Sequence, residues 1–193
     1  VPIQTSYGAN FTNTWTDYIN VYDGNTTTYG YFSASTGSTI YGETGGYGFQ
    51  SGGAYEIPSN AALITNGVTL QIWYSVGTVN RWSSVSVQAY NGATALGSPT
   101  SITASLSTLA TNNTTAILSG ITLSDILNSN FKVRVTGVRT GTASNTFYLR
   151  QMSVSANYST KMMWTGTQWK PFVIWTGSAW SSNYNVWTGS TWA

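Results

Sequence analysis

The chain of 193 residues contains no cysteine and no histidine, and only 6% of its residues are charged. The missing thiol and imidazole groups exclude thiolate nucleophiles, Ser-His-Asp triads, disulfide staples and the usual zinc ligand sets. A cysteine-free chain also says nothing about the redox state of its compartment. Charged residues make up roughly a quarter of an ordinary domain, so the polar surface here must come mainly from hydroxyl and amide groups. Seven Lys and Arg against five Asp and Glu leave a net charge of +2, with no basic run. Electrostatic capture of nucleic acid is therefore not expected. No stretch approaches the ~20 apolar residues of a membrane-spanning helix, so no membrane span is expected. The opening Val1-Pro-Ile-Gln lacks a charged region followed by an apolar one, and no signal peptide is expected from it.

What is present is glycine (20 residues), tyrosine (13), tryptophan (9) and abundant Thr, Ser and Asn. Disordered chains combine few aromatics with high charge, and this composition is the reverse. The length suits one sizeable domain plus an appendage. Alternation with a period of two dominates the pattern. Val68, Leu70, Ile72, Tyr74 and Val76 fall on one face of a strand, and Thr69, Gln71, Trp73 and Ser75 on the other. Val85, Val87 and Ala89 oppose Ser84, Ser86 and Gln88; Phe131, Val133 and Val135 oppose Lys132 and Arg134. Met152, Val154, Ala156 and Tyr158 alternate with Ser153, Ser155 and Asn157. Strands with one apolar face fit antiparallel sheets packed in two layers.

Turn clusters separate these strands at 90–94, 111–114 and 140–145. One short helical turn is expected, with Ser124 as the cap of Asp125–Asn128 and Asp125 near the positive helix end. Residues 24–53, rich in Gly, Thr and Tyr, read as loops with irregular strands. The expected fold is all-β: an antiparallel β-sandwich of jelly-roll type over residues 1–160, followed by a small Trp-rich hairpin region over 161–193.

That last region repeats one phrase three times: Trp164-Thr-Gly-Thr-Gln-Trp169, Trp175-Thr-Gly-Ser-Ala-Trp180 and Trp187-Thr-Gly-Ser-Thr-Trp192. The copies start 11 and then 12 residues apart and hold six of the nine tryptophans. Four residues between two Trp suit a tight hairpin, with Gly at a positive-φ position and the indoles facing each other across the strands. A unit this short cannot bury two indoles alone, so the copies must stack on each other, on the preceding domain or on another chain. Six indoles left in water would form an apolar patch larger than monomers usually carry. Trp164, Trp169, Trp175, Trp180, Trp187 and Trp192 are therefore the candidate assembly residues. A row of indole faces stacking on sugar rings is the alternative reading.

Catalysis is a weaker reading. The carboxylates are Asp17, Asp23, Glu43, Glu56 and Asp125, and a glycosidase needs two facing across a cleft. Asp17 and Asp23 lie among Trp15, Tyr18 and Tyr22, which superficially suits a sugar site, yet any five acids offer some such pair. Asp23-Gly24-Asn25 lacks the repeated ligands of a dedicated calcium loop and reads as a turn. No catalytic residue, metal or cofactor is expected. Tyr29, Tyr31, Phe32, Tyr41, Tyr47 and Tyr55 crowd a Gly-rich stretch; some fill the core, and the rest suit a protein or glycan contact. Five Asn-x-Ser/Thr triplets (Asn10, Asn25, Asn112, Asn113 and Asn157) read as chance matches in an Asn- and Thr-rich chain.

Several segments occur in a familiar order: Trp15 with Asp23-Gly24, Tyr47-Gly-Phe49, Ile57-Pro58-Ser-Asn-Ala-Ala-Leu-Ile64, Gly67-Val-Thr-Leu-Gln-Ile72, Asp125-Ile-Leu-Asn-Ser-Asn-Phe131-Lys-Val-Arg-Val135 and Leu149-Arg-Gln-Met-Ser-Val-Ser-Ala-Asn-Tyr158. This series resembles a β-sandwich domain that recurs in virion proteins of tailed bacteriophages, across roughly 15–158. Two departures stand out: Lys132 replaces a glycine, and Arg150 replaces an acidic residue often found in the final strand. The resemblance implies a non-enzymatic structural protein on the virion exterior, as a minor tail or adsorption component or a capsid decoration. Its partners would be other virion proteins and copies of itself in a homo-oligomer, of which a trimer is one form. A carbohydrate-binding module recognising host-surface glycans is the second expectation.

Overall fold

A computed structural model describes residues 3–7, 10–12, 27–34, 39–58, 61–140, 145–160, 162–164, 169–171, 174–175 and 180–181. The side chains of 10–12, 32, 34 and 160 onward fall outside that description. Ten strands form two antiparallel sheets. The first holds β1 (Ile3–Ser6), β3 (Gly30–Ala34), β5 (Ala61–Val76), β8 (Asn113–Ile117) and β10 (Asn145–Thr160). Its order is β1-β10-β5-β8, and β3 also pairs with β10. The sixteen-residue β10 is long enough to carry both short strands on one edge: β3 meets Asn145–Leu149 and β1 meets Val154–Asn157. The second sheet runs β2 (Asn10–Thr12), β4 (Thr39–Gly45), β9 (Phe131–Arg139), β6 (Trp82–Asn91), β7 (Thr94–Ser101). From β3 onward the chain crosses repeatedly between the sheets, so strands distant in sequence become neighbours.

The alternating faces pack as the sequence implies. Val68, Leu70, Ile72, Tyr74 and Val76 are at most 2% exposed, as are Val85, Val87, Ala89, Val133, Val135, Met152, Val154 and Ala156. They belong to one hydrophobic cluster drawn from both sheets, which makes the molecule a β-sandwich. Phe147 stacks on Tyr74 with centroids 5.4 Å apart and takes the edge of Trp82 at 6.1 Å. These contacts tie the sheets together. Trp82 fits because Gly137 lies beneath its indole; a Cβ there would sit 2.5 Å from Cζ3.

Of the four register shifts among the described strands, two bear on the site and the core. Between Trp82 and Ser84 the register slips by one residue, which brings Trp82 to 5% exposure although it has the parity of the outward Ser84. A second slip between Leu149 and Gln151 inserts Arg150 between two inward runs, Phe147–Leu149 and Met152–Tyr158. The β6–β7 hairpin closes through Gly92-Ala93, with Asn91 opposite Thr94, and Gly92 supplies the positive φ (59°) that so tight a turn demands.

The helical turn is real but shifted. It spans Leu123–Ile126 (α1), and its cap is Thr122 rather than Ser124. Thr122 Oγ1 accepts from the Asp125 amide at 3.3 Å and the Asp125 carboxylate accepts from the Thr122 amide at 2.8 Å. That reciprocal box satisfies two donors at once, which Ser124 in the first turn could not do. Two 3-10 turns, Val79–Arg81 and Thr103–Ser105, were not expected from the sequence. Among the described residues no helix is long and apolar enough to cross a membrane.

Candidate functional site

The tryptophan region follows β10 directly. Met162–Trp164 (β11) pairs antiparallel with Trp169–Pro171 (β12), and Ile174–Trp175 (β13) with Trp180–Ser181 (β14). Trp164 is opposite Trp169, and Trp175 is opposite Trp180. The backbone register is thus the one that four intervening residues imply. The contacts of these side chains, and the whole of Trp187 and Trp192, lie outside the described residues, as do Trp15, Asp17 and Asp23.

Each described carboxylate is engaged in holding the fold. Asp125 closes the α1 cap and also accepts from Asn91 Nδ2 at 3.0 Å, linking α1 to the β6–β7 hairpin. Glu56 Oε2 accepts from the Gly52 amide at 2.9 Å within the loop before β5. Glu43, on the outer face of β4, is 3% exposed and receives Lys132 at 2.7 Å and Arg134 at 2.6 Å from β9. The Arg134 guanidinium also lies between the rings of Tyr41 and Tyr90, 4.1 Å from each centroid. The three lie on different elements, the loop before β5, β4 and α1, and each is committed to donors of its own. No group of three His, Cys, Asp or Glu capable of holding a metal occurs among the described residues.

The early tyrosines divide between core and surface. Tyr47 is 3% exposed, stacked on Phe49 and tilted against Phe131. Burial pushes its phenol well above the ordinary range, partly offset by a hydrogen bond with the Thr44 hydroxyl. Burial likewise pushes the Tyr74 phenol up, with the Ser105 and Asn112 side chains opposing it. Tyr29 and Tyr55 remain exposed and Tyr31 half-buried. Tyr29 meets the edge of Tyr148 at 5.0 Å and of Tyr31 at 6.4 Å, which gathers three phenols beside the outer surface of the first sheet.

Arg150 stands at the centre of that surface. The bulge that inserts it leaves it 8% exposed, with its guanidinium 5.3 Å from the Tyr29 ring centroid. Its hydrogen bonds are long: Nη1 donates to the Thr27 carbonyl at 3.3 Å and Nη2 to Ser75 Oγ at 3.5 Å, while buried Nε has no partner. Among the described residues no carboxylate lies within ion-pair distance of it. A buried charge without a counter-ion costs several kcal/mol, and one aromatic face recovers about 0.5–2 kcal/mol of that. Arg150 lines two clefts. One, of about 250 Å³, runs past Tyr29, Tyr148 and Thr108; the other, of about 390 Å³, lies against Trp73, Thr27 and Thr111.

Reading by sequence alone missed this site. Its signals were the Trp at position 73 on the polar face of an alternating strand, and the single charged residue, Arg150, in an otherwise uncharged final strand of the sandwich. No protein-family model matches the chain, and no curated protein or solved structure is significantly similar to it.

Proposed function

We propose that this chain is a non-enzymatic structural component on the exterior of a tailed-phage virion, a minor tail or adsorption protein or a capsid decoration. It works through assembly with other virion proteins and with copies of itself. The observation that carries the assembly role is the opposition of Trp164 to Trp169 and of Trp175 to Trp180 in two short pairs directly after β10. Two-stranded ribbons of this size are marginal in water by themselves, so they need a surface to dock on. The virion setting comes from the motif order between residues 15 and 158. A jelly-roll reading of the sandwich suits that setting: β3-β10-β5-β8 and β4-β9-β6-β7 form two interleaved four-stranded sets. Deleting 161–193 tests the role. Loss of self-association and of incorporation into particles is expected; a deletion that alters neither rejects it.

A second reading, recognition of host-surface glycans, is favoured by the clefts beside Tyr29, Tyr148 and Trp73. Tryptophan fluorescence that changes saturably with host glycans supports it, and an unchanged signal leaves the scaffold role alone.

A further inference from the structure

We infer that the surface around Arg150 binds a carboxylated saccharide. The inference builds on the glycan reading and adds the chemical class of the ligand; it does not depend on where in a particle the chain resides. Arg150 and Arg134 occupy opposite sheets and have opposite circumstances. Arg134 has a carboxylate at 2.6 Å and a tyrosine ring on each side. Arg150 is buried more deeply, yet it has one ring, two long hydrogen bonds to neutral oxygens and an orphaned Nε. A guanidinium carries five N–H donors in a planar fork suited to a carboxylate, and here most are uncommitted. Such an unbalanced charge beside open clefts is completed by an anion from outside.

The surroundings select the rest of the ligand. Tyr29 and Tyr148 in one cleft and Trp73 in the other offer aromatic surface beside the guanidinium, suited to the apolar face of a pyranose ring. Thr27, Thr108 and Thr111 supply hydroxyl and backbone groups for sugar hydroxyls. The larger cleft, about 390 Å³, falls within the ~300–1,000 Å³ range of small-molecule sites. A free inorganic anion would use the charge and leave the aromatic walls unfilled. A neutral sugar would use the walls and leave the charge unbalanced.

The test is calorimetric titration of the full chain with glucuronate, galacturonate and N-acetylneuraminate, alongside methyl glucoside and acetate. At least one acidic sugar should bind saturably and about tenfold or more tighter than both controls. Arg150→Gln should abolish that preference. Trp73→Ala, at a half-buried outer position, should weaken the same ligand about tenfold while the unfolding transition is retained. Failure of all three acidic sugars to bind overturns the inference, and so does acetate binding as tightly as they do. Equal binding of methyl glucoside overturns the acidic class while leaving glycan recognition standing. Unchanged acidic-sugar affinity in a folded Arg150→Gln or Trp73→Ala protein removes the site from this surface.

Discussion

Glu43 and Arg134 face each other across β4 and β9, with both Nη2 and Nε of the arginine bonded to one carboxylate oxygen, at 2.6 and 2.8 Å. The second oxygen takes Lys132 at 2.7 Å, so one nearly buried acid neutralises two cations. Glu43→Gln leaves both cations without a counter-charge. The expected loss is about 1–3 kcal/mol, below the ~3–5 kcal/mol of fully buried pairs, because the two cations keep partial access to water. Urea unfolding measures it, and an unchanged midpoint contradicts the assignment.

Ile72 is fully buried in β5, where that strand is paired with β10 on one side and β8 on the other. Ile72→Ala should cost about 2–5 kcal/mol through lost transfer energy and the cavity left behind. A loss under about half a kcal/mol here and at Val87 or Val135 would place these side chains outside the core.

The buried phenols predict weakness in alkali. Tyr47 and Tyr74 have pKa values raised by burial above the ordinary 10.0, so the folded state holds their protons more tightly than the unfolded state. That contribution is complete below about pH 10 and is lost as pH climbs past it, by about 1.4 kcal/mol per pH unit for the fully buried Tyr47, with Tyr74 adding in the same direction. Tyr47→Phe should reduce the steepness of the decline in unfolding free energy between pH 10 and 11.5. Equal slopes in both proteins would contradict the burial of that hydroxyl.

The core was legible in the sequence wherever a strand runs without interruption. Val68 to Val76 and Phe131 to Val135 alternate in sequence and in space, because side chains in a strand repeat every two residues. Legibility ends at the bulges. Trp82 has the parity of an outward residue, and Arg150 falls between two inward runs; an inserted residue changes the face of what precedes it and leaves no mark in composition. The α1 cap misled for a different reason. Thr122 and Ser124 both carry a capping hydroxyl, and only the position of Asp125 three residues after Thr122 completes the reciprocal box. The Arg150 site needed tertiary contact, since Thr27, Trp73, Thr108 and Arg150 are far apart along the chain. The Trp-Thr-Gly-x-x-Trp spacing, by contrast, anticipates the Trp164–Trp169 and Trp175–Trp180 register because a hairpin is a local structure.

The central claim, that the tryptophan region makes this β-sandwich an assembling protein, is tested most directly by native mass measurement of the full chain and of residues 1–160. The full chain should be a defined oligomer, such as a trimer, and the shortened chain a folded monomer that retains all of β10. A monomeric full chain, or an oligomer that survives the deletion unchanged, would contradict the claim.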